Sequence, residues 1–403
     1  MSQQLSNADA ALKEFYLPTM RVQINQNFDL LQAVCKNTED FEGRRAVLSL
    51  HTGRSGGVGA GSELQDLPEA GYQRSAEERI GVHQQRARIQ LSVDVMKSMK
   101  SDQGSFTRAM ELETSGIVND SKFDVARQLM GTSDGVIAAV TSNASQVITL
   151  TTPTQTQMRM FYKNMKVDVG TVANPVLKGA NLTISAVNRA AGTITVVGTL
   201  ASVATTDRVF RAGAGGSGAS QKEVTGLPTI VNDSGTLFNI DPTVDPEWVS
   251  LVDANGGTPR AATENLFEKM MDNIFVESGE DPDAIWTSFG VQRNYAAAFK
   301  GLRQFDAPPV KLAGGFEAPS ITTPRGTIGF VADRFNPEGT AFVVNTAHLI
   351  EFVLDDWDFM DEDGAVLSRV SGKAAYEAAL LKFHELATDK RNAHGRIVDL
   401  TES

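Results

Sequence analysis

The chain has 403 residues, of which 41% are hydrophobic and 21% charged, and its formal net charge is −12 at pH 7. This composition is typical of a folded chain with two or three packed regions and excludes a disordered one. No stretch reaches the roughly 18 apolar residues of a membrane span. The acidic charge argues against a DNA-binding role, which needs a basic surface. The single cysteine, Cys35, excludes an intramolecular disulfide and indicates folding in a reducing cytoplasm.

The first 44 residues predict an amphipathic arm rather than a signal peptide, since no basic segment precedes an apolar core. Apolar residues recur at helical spacing over residues 8–34, and Pro18 interrupts the pattern. We expect this arm to dock on its own core or on a neighbouring molecule. Its predicted contact side chains are Phe15, Tyr16, Phe28 and Leu31.

Residues 45–93 predict a long two-stranded excursion with a glycine-rich tip. Apolar and polar residues alternate over 46–50 and again over 80–93, as they do in strands. Five of the nine residues from Gly53 to Gly61 are glycine. Because an isolated hairpin is marginal in water, it needs another surface to lie on. The alternative is a mobile surface loop.

Residues 101–131 then predict one long helix, and residues 138–210 a small all-β module of short Val-, Ile- and Thr-rich strands. Between Ser133 and Lys222 there are eight Lys or Arg and three Asp or Glu, a local charge of +5, so the rest of the chain carries −12 − 5 = −17. This asymmetry predicts that the module meets an acidic surface, with its own host domain as one candidate.

Residues 225–345 alternate helical and strand patterns. Residues 263–279 predict an amphipathic helix, and 328–332 and 341–344 predict buried strands. In the tail, 349–354 predicts a strand followed by a loop rich in Trp and Asp. Residues 376–388 fit a helix or a strand equally well.

Motifs that could bind a cofactor or a metal are not supported by the residues around them. Residues 213–218 match G-x-G-x-x-G, but no helical pattern follows, so they predict a linker. The five histidines show no metal-ligand spacing. The acidic residues 355–364 miss the calcium-loop pattern at Phe359. We therefore predict no catalytic residue, no metal and no cofactor, and the chain is not expected to be an enzyme.

Several stretches, taken in order, resemble the Hong Kong 97-type major capsid proteins of tailed bacteriophages, and in particular those of phages of actinobacteria. They are ADAALKEFYLPTMR with QNFDLLQAV (8–34), FEGRRAVLSLHTGRSGGVGAGSELQDLPEAG (41–71), DWDFMDEDGAVLSRV (356–370) and ELATDKRNAHGRIVDL (385–400). The resemblance implies an α+β capsid fold. Its parts would be an N-terminal arm (1–44), an E-loop hairpin (45–100), a peripheral domain with the spine helix (101–137), an inserted β module (138–222), an axial domain (223–345) and a return to the peripheral domain (346–403).

The resemblance also implies self-assembly as hexamers and pentamers into an icosahedral virion capsid, built in the host cytoplasm around double-stranded DNA that is enclosed without specific binding. Implied partners are a portal at one vertex, a separate scaffold protein and a cement protein. The arm already resembles the family by Ala8, so we expect no cleaved scaffolding segment. The E-loop would contact a neighbouring subunit through Arg54, Gly56, Gly57, Gly59, Gly61, Glu63, Arg74, Glu77, Glu78 and Arg79.

One departure concerns covalent cross-links, which E-loop lysines form in the family's founding example. This chain has no lysine between Lys36 and Lys97. Arginine cannot form that amide, so we expect a shell held by non-covalent contacts. The alternative within the fold is an encapsulin-like nanocompartment shell. A β-rich adhesin or tail component is a further alternative, suggested by the β module alone.

Overall fold

The computed structural model describes residues 30, 33–37, 43, 45–63, 66–94, 103–172, 176–215, 221–298, 310–311, 317–318, 320–323, 326–360 and 368–402. The arm contacts predicted at Phe15, Tyr16, Phe28 and Leu31 lie outside these residues.

The described residues of the N-terminal part contain four strands and the predicted long helix. They are β1 (Cys35–Asn37), β2 (Arg45–Gly53), β3 (Arg74–Gly81), β4 (His83–Ser92) and α1 (Gln103–Leu129). Strands β2 and β3 pair antiparallel along their whole length, from Arg45 opposite Gly81 to Gly53 opposite Arg74. The returning half of the predicted hairpin is nevertheless divided, because β4 leaves this ribbon and joins a separate sheet. The prediction of one continuous hairpin over 45–93 was wrong on this point.

The predicted β module forms a closed barrel. Its elements are β5 (Val136–Ala144), β6 (Val147–Leu150), α2 (Gln155–Met160), β7 (Lys166–Gly170), β8 (Leu177–Asn188), β9 (Thr193–Val197) and β10 (Arg208–Arg211). The strand order is β10-β5-β6-β9-β8-β7, so no edge is left unpaired. Alternate residues such as Val167, Ile184 and Val196 fill the interior. The strands were predicted correctly and the short helix α2 was not.

The described residues of the remaining chain contain three α-helices and contribute strands to a five-stranded, a six-stranded and a two-stranded sheet. The elements are α3 (Leu227–Ile230), β11 (Leu251–Asp253), α4 (Glu264–Ser278), β12 (Ala284–Thr287), α5 (Phe289–Ala298), β13 (Val310–Lys311), β14 (Glu317–Ala318), β15 (Ser320–Thr323), β16 (Gly326–Ala332), β17 (Ala341–Val344), β18 (Leu349–Phe359), β19 (Ser368–Arg369), β20 (Ala375–Thr388) and β21 (Gly395–Ile397).

A six-stranded sheet, in the order β11-β21-β17-β12-β16-β15, organises the predicted axial domain. Strand β12 is wholly buried, and its side chains alternate between two cores. Ile285 packs under α4 and α5, whereas Trp286 packs on the side of the long helix α1. The predicted helix at 263–279 is confirmed as α4. It ends at Gly279, whose φ of 75° lets its backbone N–H donate to the Phe275 carbonyl at 2.8 Å.

A five-stranded sheet contains β1, β18, β20, β19 and β4. Residues 376–388, which fitted helix or strand, lie in β20, which pairs with β18 along one edge and β4 along the other. The loop predicted after Leu354 is instead a continuation of β18 to Phe359. Strand β21 pairs with β11 and β17 in the six-stranded sheet. The predicted return of residues 346–403 to the peripheral domain stays a prediction.

A buried charge cluster ties the end of α1 to the chain that leaves the barrel. Arg127 contacts both carboxylate oxygens of Glu223, and its Nε donates to Asp124 Oδ1 at 3.1 Å. Arg211, on the last barrel strand, lies 3.3 Å from the same Asp124 oxygen. Arg127 and Glu223 are each 3% exposed. The two chain segments that connect the barrel to the rest of the subunit are therefore held together by this cluster.

We expect Arg127→Ala to destabilise the subunit by about 3–5 kcal/mol, because it leaves the buried Glu223 carboxylate without its cation. Urea unfolding of the unassembled subunit would measure this. Arg159→Ala, on the exposed side of the barrel, is the matched control and should change stability by about 0.5 kcal/mol or less. Equal effects of the two substitutions would contradict a stabilising role for the buried pair of Arg127 and Glu223.

Candidate functional site

Strands β2 and β3 form the ribbon of the predicted E-loop, and the base of this ribbon is packed against its own subunit. Ala46 and Ile80 form a small core with Phe352 and Ala387 of the five-stranded sheet. The backbone N–H of Arg79 also donates to the Phe238 carbonyl at 2.9 Å. The ribbon is thus a rigid extension of the body at this end.

The far end of the ribbon is held by Asp245. One oxygen of this buried carboxylate accepts from Thr52 Oγ1 at 2.7 Å and from Arg74 Nη2 at 2.9 Å. Arg74 also donates to the Val244 carbonyl at 2.6 Å. Arg74 was predicted to contact a neighbouring subunit, but the structure gives it partners within its own chain. Residues 54–63 and 66–73, the described part of the tip, lie beyond this clamp.

Glu78 is a second residue that the structure places differently. Residues along β3 alternate between two faces, and Glu78 points inward with Ile80 while Glu77 and Arg79 point outward. Glu78 is fully buried, and neither carboxylate oxygen has a hydrogen-bond partner among the described residues. Burial, with a smaller contribution from the nearby Asp389, raises its pKa to about 8. A contact from Glu78 to another subunit is therefore excluded in this conformation.

Glu77 and Arg79 lie on the open face of the ribbon and pair with each other at 3.0 Å. Both side chains are about half exposed, so they are accessible to another subunit. Their predicted contacts with a neighbour stay predictions.

The glycines of the tip bring its two limbs together. A Cβ placed on Gly57 would lie 2.8 Å from the Gly71 nitrogen, and one on Gly71 would lie 2.7 Å from the nitrogens of Gly56 and Gly57. No side chain fits between limbs this close. Gly71 was missed by the sequence reasoning, which looked for glycine only in the first limb. The remaining predicted residues, Arg54, Gly56, Gly59, Gly61 and Glu63, are exposed along the tip.

Three large apolar side chains of the tip point into solvent. Val58 is 87% exposed, Leu67 91% and Tyr72 79%. Such side chains, grouped on one projection, are typical of a protein-binding surface. The sequence analysis missed them because it concentrated on glycine and charge, although apolar residues in a polar loop are a readable signal.

The charged clusters in the sheets resemble structural ion pairs rather than a catalytic site. The buried Lys382 and His384 both donate to Glu351, at 2.7 and 2.8 Å. Within the described ranges, no group of three His, Cys, Asp or Glu residues could hold a metal ion. No described helix is both long enough and apolar enough to span a membrane.

We expect Asp245→Ala to loosen the distal half of the ribbon, because Thr52 and Arg74 lose their shared acceptor. The local opening free energy should fall by about 1 kcal/mol, roughly five-fold in the opening equilibrium. Amide hydrogen exchange would show faster exchange at 50–53 and 74–76, with residues around Ala46 unchanged. Glu63→Ala is the control, and identical exchange in both variants would count against the clamp.

Glu78 should make stability fall as the pH rises. Its folded-state pKa of about 8 exceeds the ordinary 4.5, so the folded chain retains a proton that the unfolded chain releases between these values. At pH 8.5 we expect Glu78→Gln to be more stable than the parent by about 2–4 kcal/mol, with little difference at pH 4.5. Urea unfolding at both pH values measures this. Exposed Glu77→Gln should show no such dependence on pH.

Comparison with protein families matches residues 109–401, most of the chain, to the SU10 major capsid protein. The matched range begins within α1 and runs through the barrel and both sheets to the last strand. A search of curated proteins found no match.

Solved structures show the fold. The cyanophage A-1(L) capsid asymmetric unit is 12% identical with a TM-score of 0.63, over 98% of each chain. The capsid of a native GTA particle is 10% identical with a TM-score of 0.54, over 99% of this chain and 100% of that one. An encapsulin complex from Synechococcus elongatus covers 99% of this chain and 96% of that one at 6% identity, but its TM-score of 0.45 is too low to carry an argument.

The predicted capsid fold is confirmed by these likenesses, and the family match identifies the kind of protein. Members of this family are structural capsid proteins. The chain belongs to the SU10 major capsid protein family, and it is a capsid protein rather than an enzyme.

Proposed function

We propose that copies of this chain assemble as hexamers and pentamers into an icosahedral shell that encloses double-stranded DNA. The observation that carries this proposal is the E-loop tip, residues 54–73. It projects beyond the Asp245 clamp and exposes Val58, Leu67 and Tyr72. Apolar side chains this exposed gain stability when another surface covers them, at about 25 cal/mol per Å² buried.

The ribbon supports a shell of repeated contacts. In the described part of the chain, β2 and β3 form a two-stranded sheet. Apart from the Arg79 N–H, which donates to Phe238, their outer edges can offer backbone donors and acceptors to a partner. The packed base and the Asp245 clamp at the far end of the ribbon fix the direction in which the tip projects. Head-to-tail contacts of this kind generate closed rings when the rotation between subunits closes.

The acidic chain supports enclosure of DNA without specific binding. A net charge of −12 repels phosphate rather than neutralising it, so an inner wall of such subunits lets DNA pack without adhering. A portal at one vertex, a separate scaffold protein and a cement protein are the further partners that we propose.

We propose that the shell is held without covalent links from the E-loop. The ribbon and its tip contain no lysine and carry arginines instead, among them Arg45, Arg54, Arg74 and Arg79. Arginine binds carboxylates through paired hydrogen bonds, but unlike lysine it does not form the amide of such a cross-link.

Electron microscopy of the purified protein and denaturing gel electrophoresis of the same sample test this proposal together. We expect electron microscopy to show closed icosahedral particles, and the denaturing gel to show a single band at the mass of the monomer. A ladder of covalent oligomers would overturn the non-covalent shell, and monomers in every condition tried, including with a scaffold, would overturn assembly. Protein cargo in place of DNA would support the encapsulin-like alternative.

A further inference from the structure

The barrel exposes positive charge only. Residues 136–211 contain seven Lys or Arg and two Asp, and both aspartates are buried. Asp168 accepts from the backbone N–H groups of Asn181 and Gly213 at 2.6 and 2.8 Å, and Asp207 accepts from that of Ala204 at 2.7 Å. The two carboxylates therefore bind backbone N–H groups in the interior and do not offset the positive charge on the barrel surface.

The host domain neutralises little of this charge. Arg211 is the one barrel cation that forms an ion pair with a carboxylate in the described part of the chain, through Asp124. The exposed cations Arg159, Lys163, Lys166 and Arg189 have no carboxylate partner among the described residues. The sequence analysis offered the host domain as the acidic surface that the barrel meets, and these contacts account for one cation of seven.

One face of the barrel places the cation Lys166 beside apolar side chains. The register places Lys166 of β7, Thr183 of β8 and Val197 of β9 in one row across three strands. Lys166 Nζ donates to Thr183 Oγ1 at 2.6 Å, and Val197 is 62% exposed. At the start of β8, Leu177 is 43% exposed, and Val176 just before it is 62% exposed. Exposed aliphatic groups among cations suit a protein surface better than a phosphate backbone.

The E-loop tip has the complementary chemistry. Glu63, Asp66 and Glu69 are exposed on it against the single cation Arg54, so residues 54–73 carry a net charge of 1 − 3 = −2. The same segment exposes the apolar side chains Val58, Leu67 and Tyr72 described above. Acidic and apolar groups on the tip therefore match basic and apolar groups on the barrel.

We propose that the E-loop tip of one copy binds the outer face of β7, β8 and β9 on the barrel of a neighbouring copy. This rests on the proposed assembly into a shell, in which every copy has neighbours and tips and barrels are present in equal number. The carboxylates of Glu63, Asp66 and Glu69 face the ammonium groups of Lys163 and Lys166, and the apolar side chains of the tip cover Val197 and Leu177.

Zero-length cross-linking with a carbodiimide tests this contact directly. The reagent activates a carboxylate, and an adjacent lysine amine displaces the activating group as a urea to leave an amide. No lysine lies between Lys36 and Lys97, so the tip carboxylates cannot react within the ribbon. In particles assembled from equal amounts of ¹⁴N- and ¹⁵N-labelled chains, we expect peptides that join Glu63, Asp66 or Glu69 to Lys163, Lys166 or Lys178, with mixed-isotope pairs among them.

Charge reversal supplies the matched variants. Lys163→Glu with Lys166→Glu should abolish the tip–barrel links to those positions and lower the guanidinium midpoint for particle dissociation. Adding Glu63→Lys and Asp66→Lys should restore the midpoint. Lys373→Glu, an exposed lysine outside the barrel, is the control and should leave both the links and the midpoint unchanged.

The outcomes separate this proposal from the proposed function. Closed particles without tip–barrel links, or with links from the tip only to other lysines, overturn the contact and leave the shell intact. Links that are all between peptides of one isotope also overturn it, as do links from the barrel lysines to a second acidic protein. Barrel lysines shielded from amine labelling only in DNA-filled particles would assign the face to DNA instead.

Discussion

The junction at the end of the long helix α1 is the constraint on which the rest of the subunit depends. Chain enters the barrel after Gly131 and leaves it before Gly226, and a Cβ on Gly226 would lie 2.0 Å from the Gly131 carbonyl oxygen. Ser133 Oγ accepts from the Gly226 backbone N–H at 2.9 Å. The buried pair of Arg127 and Glu223 closes the same gap with charge. Because the two ends meet here, α1 can pack on the six-stranded sheet as though the barrel were absent.

Much of this fold could be predicted from patterns of local period. The barrel strands and α4 have strong periodicity and clear turn residues, and they lie where the sequence places them. Strand β20 was ambiguous because nearly every side chain near its end is buried, and burial on both faces removes the alternation that marks a strand. The departure of β4 from the ribbon was not predictable, since its partner lies about 290 residues away.

The candidate contact surface shows a similar division. The exposed tip was found from its glycines, but a charge pattern alone cannot tell an outward from an inward carboxylate, and Glu78 was misplaced for that reason. Counting positions by two from the buried Ile80 would have placed it correctly. Arg74 could not have been assigned, because Asp245 meets it only in the folded chain. Long-range polar contacts of this kind leave no periodic signal.

The meeting of the two barrel stems also has a consequence for how such subunits diversify. Loop-closure entropy grows slowly with length, and here the closure is made by the host, through Gly131, Gly226 and the Arg127–Glu223 pair. Any independently folding domain whose termini lie a few ångströms apart could occupy this position without disturbing the fold of the host domain. The junction is therefore a place where a capsid protein can exchange one whole inserted domain for another while the fold of the host domain is kept.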